Sequence, residues 1–175
     1  VQLHPINPMP SVLISLGSNI AKEDNFPKAI AALCHQPAIT VVAISPIYET
    51  APVGDSSIQA PSPQPTFYNA AAWIKTELAP AALRETLRAI ETRLGRVRTA
   101  DKYAPRPIDL DIAFYGGCSL ALNGKTIPDP DIVHFPPLAL PLADIAPQWV
   151  HPENGLTLRQ IAANLTHTEM EIRQL

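Results

Sequence analysis

The chain has 175 residues, of which 46% are hydrophobic, and its formal net charge is −3. This length and apolar content predict one globular domain with a buried core and exclude a disordered chain. The slight negative charge does not provide the overall positive potential that favours nucleic-acid binding. No apolar run approaches the ~20 residues of a membrane span.

The first part of the chain is predicted to hold three strands and one helix. Asn25 is the expected cap of a helix over residues 26–35, which Pro37 ends. Glu49–Thr66 is rich in proline, serine and glycine and predicts a long loop, of the kind that is usually functional or mobile. Apolar and β-branched runs predict strands over residues 11–16, 39–47 and 67–77.

The second part is predicted to begin with a helix. Pro80 opens this helix where its missing N–H matters little, and Gly95 suits the position just past the end. Its apolar stripe consists of Leu83, Leu87, Ile90 and Leu94. The remaining predicted elements are a strand over 108–115, a small hairpin within 120–130, and short helices over 137–143 and 157–165.

The first six predicted elements follow the order β-α-β-β-α-β. This is the ferredoxin-like, or split βαβ, order, an α+β architecture with an antiparallel sheet and helices on one face. The short helices that follow form a C-terminal extension. Since no second boundary is visible, residues 11–175 are expected to form a single domain behind a proline-rich tail or linker at 1–10. Two distant cysteines, Cys34 and Cys118, fit a reducing, cytoplasmic setting.

Charge is concentrated in Gly95–Gly117, GRVRTADKYAPRPIDLDIAFYGG. Because side chains alternate along a strand, Asp109 and Asp111 should share one face while their apolar neighbours face the core. Two carboxylates ~7 Å apart repel each other, and a hard cation such as Mg²⁺ relieves that repulsion. The alternative interpretation is an exposed aspartate pair on a sheet edge.

Three arginines accompany these aspartates. Arg96 and Arg98 stand two residues apart, and Arg106 lies between two prolines that restrict its backbone. A guanidinium group fits phosphate oxygens, so carboxylates and arginines together supply the parts of a phosphoryl-transfer site. The alternative is an ion-pair network on a surface loop. No P-loop motif is present.

Phe67 and Tyr68 precede Asn69, and an aromatic ring beside an amide suits a flat heterocycle, although a packed strand start explains the same pattern. The five histidines show no metal-ligand spacing, and no serine lies in a G-x-S-x-G motif.

Seven motifs follow one another along residues 12–161. They are LGSN (16–19), SPIYETAPVG (45–54), QPTFYNAA (64–71), GRVR (95–98), PRPIDLDIAFYG (105–116), IPDPD (127–131) and PLADIAP (141–147). In order and spacing they resemble the motifs of the 6-hydroxymethyl-7,8-dihydropterin pyrophosphokinase family. The resemblance implies Mg²⁺-dependent transfer of pyrophosphate from ATP to the hydroxymethyl group of the pterin, with release of AMP, in folate biosynthesis.

The resemblance also implies roles for individual residues on the ATP side. Asp109 and Asp111 would hold two Mg²⁺ ions, and Arg96 and Arg106 would be the catalytic cations that reach the phosphates. Further implied ATP contacts are Glu91, Arg98, Tyr103, where the family commonly has tryptophan, and Ile112 through its main chain.

The implied pterin pocket contains an amide, Asn69, that binds the ring edge and an aromatic, Phe67, that stacks on the ring. Asp129 and Phe135 depart from the family, which often carries histidine and arginine there on the ATP side. Phe135 is expected to replace a stacking aromatic that is absent near Pro137. The full set of implied pterin contacts is Thr50, Pro52, Val53, Phe67, Asn69 and Phe135.

The implied partners are ATP and the pterin, without nucleic acid or membrane. Residues 1–10 would suit a linker to another folate-pathway enzyme, and Asp55–Pro65 is expected to form part of a lid over the substrates. Two other interpretations stay open. One is a ferredoxin-like nucleic-acid binder, against which the net charge and the ten aromatic residues (four Phe, four Tyr, two Trp) speak. The other is a non-catalytic nucleotide- or pterin-binding homologue.

Overall fold

The computed structural model describes residues 9–51, 65–98 and 104–165, together with the backbone of 172–174. The expected linker at 1–10 and the expected lid therefore lie largely outside the described residues. Pro52, Val53 and Tyr103 lie outside them as well. The assignment of a single domain to residues 11–175 stays a prediction.

Eight strands and four helices occur in the described residues. The strands are β1 (Ser11–Ser18), β2 (Ile39–Ile44), β3 (Tyr48–Thr50), β4 (Phe67–Thr76), β5 (Asp109–Tyr115), β6 (Leu120–Leu122), β7 (Lys125–Ile127) and β8 (Ile172–Gln174). The helices are α1 (Lys22–Cys34), α2 (Pro80–Arg93), α3 (Pro136–Ile145) and α4 (Leu158–Leu165), with a 3₁₀ turn at Pro130–Val133. None of the described helices is long and apolar enough to cross a membrane.

The main sheet confirms the predicted α+β fold. Its strand order is β5-β1-β4-β3-β8, with β2 also pairing with β4, and every described pairing is antiparallel. β4 lies between β1 on one side and β2 and β3 on the other, as the split βαβ arrangement requires. β6 and β7 form the separate small hairpin that the sequence predicts.

The predicted strand over 39–47 is wrong in its extent, because it is interrupted. Pro46 has no N–H to give to the sheet. At Ser45 the N–H donates to the Ala71 carbonyl at 2.9 Å, and the side-chain Oγ accepts from Ala71 N at 2.9 Å. The pairing with β4 then resumes one residue out of register. Glu49 and Thr50, which were expected in the long loop, belong to β3.

The predicted start of the first helix is also wrong. α1 begins at Lys22, and Asn25 lies inside it rather than at its cap. Ala21 precedes the helix in the left-handed region, with φ of 42°, and its carbonyl accepts from the N–H groups of Asp24 and Asn25. The Asn25 amide instead donates to the carbonyl of Ile20 at 2.7 Å, which ties the preceding turn to the helix.

Helices cover both faces of the sheet, whereas the sequence predicted one face. α1 and α2 pack on the first face, where Val12 and Ile14 of β1 join the larger apolar cluster. α3 and α4 pack on the second face in a cluster with Leu13 of β1 and Phe114 of β5. A strand with consecutive buried residues, such as Val12-Leu13-Ile14, needs a covering layer on each side. The C-terminal extension supplies the second layer.

The second face is apolar at one end and polar at the other. Leu13 pairs with Phe114 but Ile14 pairs with Ile112, so Ala113 is an extra residue that bulges out of β5. The bulge turns Phe114 towards α3 and α4, although Asp109 and Asp111 occupy the same face further along. Of the predicted site residues, Asp109 and Asp111 lie at the polar end of this face.

His151 is a buried titratable group in the second layer. It is 4% exposed, and its ring meets Phe114 edge-on with the centroids 5.6 Å apart. Burial lowers the pKa of His151, and the charge of Glu153 opposes this only in part. The unfolded chain therefore binds this proton more readily than the folded chain. The free energy of unfolding should fall as the pH drops below about 6.5.

We expect His151→Gln to weaken this pH dependence, because glutamine has no proton to gain. The difference in the free energy of unfolding between wild type and variant should change by up to about 1.4 kcal/mol per pH unit. Urea unfolding between about pH 7.5 and about pH 5 measures it. His35→Gln, at the exposed position directly after α1, is the matched control. Parallel pH profiles for wild type and His151→Gln would contradict the assignment.

Candidate active site

The polar end of the second face is a continuous strip across four strands. Gly17 of β1 pairs with Asn69 of β4 on one side and with Asp109 of β5 on the other. On β3, Thr50 pairs with Phe67. Residues paired across antiparallel strands point to the same side, so these side chains share one surface. The strands of Asn69 and Asp109 are two strand spacings, or ~10 Å, apart.

Three of the predicted pterin residues, Thr50, Phe67 and Asn69, lie at one end of the strip. Asn69 Nδ2 donates to Thr50 Oγ1 at 2.8 Å, and Thr50 is buried. The amide oxygen faces the bare backbone of Gly17, where an added Cβ would lie 3.7 Å from it. Phe67 is half-buried beside this pair. The Asn69 amide and the Phe67 ring thus border the backbone of Gly17, which forms the floor of this end of the strip.

Two arginines hold Asp109 at the other end of the strip. Arg96 Nη1 donates to Asp109 Oδ1, and Arg106 Nη1 donates to Oδ2. Burial alone would raise the pKa of Asp109, but the hydrogen bonds and charges of the two arginines outweigh it and lower the pKa to about 2. Asp109 is therefore ionised at neutral pH.

Glu91 of α2 anchors the arginines from behind. It is 1% exposed, and its Oε1 accepts from Arg96 Nη1 at 2.7 Å and from Leu110 N at 2.8 Å. Its Oε2 accepts from Arg98 Nη2 at 2.5 Å. Burial raises the pKa of Glu91, against the opposing effect of these donors. Arg96 and Arg98 face the same carboxylate, in agreement with their spacing of two, and exposed Val97 lies between them.

The turn after β1 positions the backbone of Arg106. Arg106 N donates to Asn19 Oδ1 at 2.7 Å, and its carbonyl accepts from Asn19 N at 3.1 Å. Ser18 Oγ donates to the carbonyl of Pro107. The sequence pattern did not indicate this function of the LGSN motif. Asn19 and Arg106 are 87 residues apart, and no local signal connects them.

Asp111 forms an ion pair with a lysine that the sequence analysis did not predict as its partner. Lys125 Nζ of β7 lies 2.9 Å from Asp111 Oδ2. Asn123 and Gly124 join β6 to β7 with φ of 51° and 77°, the left-handed values of a tight hairpin turn. The Asn-Gly pair was the available signal for this turn, although not for the contact of Lys125.

The charges of the cluster favour an anionic ligand. Four cations, Arg96, Arg98, Arg106 and Lys125, stand against three carboxylates, Glu91, Asp109 and Asp111. Arginine forks and a lysine ammonium are the usual partners of phosphate oxygens.

A divalent ion fits the two aspartates. No group of three or more His, Cys, Asp and Glu residues that could hold a metal ion occurs in the part of the chain that the structure describes. Mg²⁺ does not need such a group, because it binds through one or two carboxylates and completes its shell with water and substrate phosphates. Asp109 and Asp111 supply hard oxygen ligands on one face of β5.

Three further residues that the sequence singles out, Ile112, Phe135 and Asp129, are also among the described residues. The side chain of Ile112 is in the core, so only its main chain, on the edge strand β5, remains for a ligand. Phe135 is half-buried directly before α3. Asp129, found where the family often has histidine, caps the 3₁₀ turn by accepting from Asp131 N at 2.9 Å.

The sequence and the fold have counterparts among known proteins. Residues 13–147 match the family model of 7,8-dihydro-6-hydroxymethylpterin-pyrophosphokinase. A 2-amino-4-hydroxy-6-hydroxymethyldihydropteridine pyrophosphokinase of Synechocystis is 38% identical over 150 residues, which cover 85% of this chain and 73% of that protein. The enzyme of the same name in Methylorubrum extorquens is 37% identical over 164 residues, which cover 93% of this chain and 98% of that protein.

A solved structure agrees in fold. The HPPK-DHPS chain of Plasmodium falciparum superposes with a TM-score of 0.69 at 14% identity, over 92% of this chain. This chain spans 44% of that longer one. The family match covers most of the chain and includes the strip and the arginine–aspartate cluster. The chain belongs to the 7,8-dihydro-6-hydroxymethylpterin-pyrophosphokinase family.

Proposed function

We propose that the chain transfers pyrophosphate from ATP to the hydroxymethyl group of 6-hydroxymethyl-7,8-dihydropterin, with release of AMP, in folate biosynthesis. The observation that carries this proposal is the strip itself. One face of the sheet joins an amide–aromatic floor to a cluster of arginines and carboxylates ~10 Å away. A flat heterocycle and a polyphosphate are the ligands that these two ends suit.

The pterin would lie over Gly17. Asn69, oriented by Thr50, would bind the polar edge of the ring, and Phe67 would stack on its face. Pro52, Val53 and Phe135 are proposed to complete the pocket. The hydroxymethyl group would then point along the strip towards Asp109 and Asp111.

The phosphates of ATP would lie over the charged end. Asp109 and Asp111 would hold two Mg²⁺ ions, which would supply Lewis-acid chemistry by lowering the pKa of the attacking hydroxyl and offsetting the charge of the phosphates. Arg96 and Arg106 would exchange part of their contact with Asp109 for the phosphates and neutralise the charge that develops on them. No protein group is needed as general base, because positioning and charge neutralisation carry most of the reaction.

The remaining ATP contacts are proposed from the family. Glu91, Arg98, Tyr103 and the main chain of Ile112 would bind the nucleotide beyond the phosphates. Arg98 is exposed enough to do so while it keeps its bond to Glu91.

A cytoplasmic location is proposed from the unpaired cysteines. Cys34 and Cys118 are both exposed free thiols, which a reducing compartment preserves. The HPPK-DHPS chain of Plasmodium falciparum is named for two activities. A fusion to, or contact with, a second folate-pathway enzyme is proposed by analogy.

The decisive experiment is AMP release from ATP and Mg²⁺, with and without 6-hydroxymethyl-7,8-dihydropterin. We expect AMP only when the pterin is present, because its hydroxyl is the acceptor. ATP binding without AMP formation would overturn the proposal in favour of a non-catalytic homologue. AMP formation independent of the pterin would show that water or another acceptor is used.

Substitution of Gly17 tests the position of the pterin. Gly17→Ala should fold normally, because the added Cβ meets Asn69 Oδ1 at an ordinary contact distance of 3.7 Å. The methyl group would occupy the floor, so we expect the KM for the pterin to rise about tenfold, the equivalent of about 1.4 kcal/mol. Gly117→Ala, where an added Cβ meets nothing within 4 Å, is the control. An unchanged KM would place the pterin elsewhere.

A further inference from the structure

Lys22, at the start of α1, is a buried cation that lies outside the cluster of arginines and carboxylates. It is 8% exposed, and its Nζ donates to Glu49 Oε1 at 2.7 Å, to the Thr66 carbonyl at 3.1 Å and to Thr66 Oγ1. Nζ also lies 4.3 Å from the centroid of the Tyr68 ring. Thr66 Oγ1 donates in turn to Glu49 Oε1 at 2.6 Å. An ammonium group so enclosed is rare unless it is paired.

These contacts lie on the reverse side of the strand pair that carries the proposed pterin residues. Glu49 pairs with Tyr68 across β3 and β4, and Tyr68 packs edge-on against Phe26 of α1. Both side chains therefore point towards α1. The alternation of side chains then directs Thr50, Phe67 and Asn69 to the opposite surface. Lys22 therefore contacts the surface of the β3–β4 pair that faces α1, and the strip lies on the opposite surface of the same pair.

The bonds of Lys22 to Glu49 and Thr66 act as a clamp on the side of the strand pair where the connection from β3 to β4 is long. In a tight hairpin the turn fixes which residues pair, but Glu49 and Thr66 stand at opposite ends of a connection, 17 residues apart. β3 has only three residues, which pair with β4 on one side and with β8 on the other. Lys22 bonds to both ends at once and so joins β3 to β4 from a third element.

Loss of this clamp would act on one contact of the site above all. Thr50 Oγ1 accepts from Asn69 Nδ2 across the same strand pair. If β3 slides or separates, the Asn69 amide loses the bond that orients it. The arginine–aspartate cluster lies on β5 and after α2, two strands away, and should not change.

We propose that Lys22 is a positioning residue for the pterin, which acts by locking β3 to β4 so that Thr50 orients the amide of Asn69. The inference rests on the proposed function, since it concerns the substrate pocket of that reaction. It assigns Lys22 no contact with either substrate.

The test compares Lys22→Met, which keeps the length and packing of the side chain, with Lys22→Arg, which keeps the charge. For Lys22→Met we expect the KM for the pterin to rise roughly five- to tenfold, as for one misaligned hydrogen bond. The KM for ATP should stay within about twofold of wild type, because the two ends of the strip are independent. Lys22→Arg should restore most of the pterin affinity. Lys28→Met, an exposed lysine of the same helix, is the matched control.

A partner substitution separates the clamp from general destabilisation. Glu49→Gln should raise the KM for the pterin in the same way, and Lys22→Met/Glu49→Gln should be no worse than the worse single variant. The double variant also removes the negative charge of Glu49 that Lys22 balances, so it remains informative if Lys22→Met folds poorly. Equal rises in the KM for ATP and for the pterin, or fully additive single effects, would overturn the proposal.

Hydrogen exchange provides a readout that does not depend on turnover. In Lys22→Met the backbone amides of residues 48–50 should exchange faster, while those of β5 should keep their wild-type rates. Unchanged amide exchange rates in β3 would overturn the proposal that Lys22 locks β3 to β4. If the wild-type protein failed to release AMP, the proposed function would fall, but the exchange experiment would still decide whether Lys22 locks β3 to β4.

Discussion

Asp111→Ala is expected to lower the turnover number on the order of 10³-fold or more while the protein stays folded. The side chain of Asp111 is 32% exposed, and its described ion pair is with Lys125, which is 48% exposed. Such a pair contributes about 0–1 kcal/mol to stability. Its loss removes one of two proposed Mg²⁺ ligands and little else.

Asp111 tests the metal assignment more cleanly than Asp109 does. Removal of Asp109 would leave Arg96 and Arg106 without the carboxylate that both of them bind. A variant at that position would combine a loss of folding with a loss of chemistry. Asp111 separates the two effects because its surroundings are exposed.

The measurement is AMP release at saturating ATP, pterin and Mg²⁺, with the thermal unfolding midpoint recorded in parallel. Asp24→Ala, an exposed aspartate of α1, is the matched control and should behave as wild type. Direct titration of Mg²⁺ in the presence of a non-hydrolysable ATP analogue should show weaker binding by the Asp111 variant. Near-normal turnover of Asp111→Ala would refute the metal assignment.

Glu91→Ala is expected to lower the free energy of unfolding by about 3–5 kcal/mol. The buried carboxylate accepts from the Leu110 amide and from two guanidinium groups. Its removal leaves the buried Leu110 N–H without its acceptor, and a buried donor without a partner is costly. It also removes the buried negative charge that faces Arg96, which keeps Asp109 and the Ile108 carbonyl as partners. Turnover should fall as well, because Arg96 loses the group that orients it.

Urea unfolding of wild type and variant at neutral pH measures this effect. Glu85→Ala is the control on the same helix, since Glu85 is exposed and pairs only at the surface with Arg88, at 3.2 Å. That substitution should cost about 0–1 kcal/mol. Glu91→Gln should lie between the two, because it retains an acceptor for Leu110 N but loses the charge. A Glu91→Ala variant as stable as Glu85→Ala would show that the carboxylate is not the anchor of the cluster.

Local periodicity determined much of the fold. The alternation in IDLDIAFY places Asp109 and Asp111 on one face and their apolar neighbours in the core, as the structure shows. The apolar stripe of α2, with Pro80 at its start and Gly95 beyond its end, predicted that helix correctly. Such patterns are readable because residues two apart in a strand, or three and four apart in a helix, necessarily share a face. The order of the elements then led to the α+β sheet, and the motifs led to the family.

Tertiary structure alone decided which distant groups meet. The pairing of Gly17 with both Asn69 and Asp109 creates the strip, yet no local pattern in any of the three strands predicts it. Asn19 reaches Arg106, and Lys125 reaches Asp111, because the sheet and the hairpin bring them together. The sequence likewise did not predict the second helical layer. The sequence of α3 shows that the helix is apolar, but it does not show which surface of the sheet the helix covers. Sequence periodicity encodes the direction of a side chain within its own element. The packing of one element on another decides what that side chain touches.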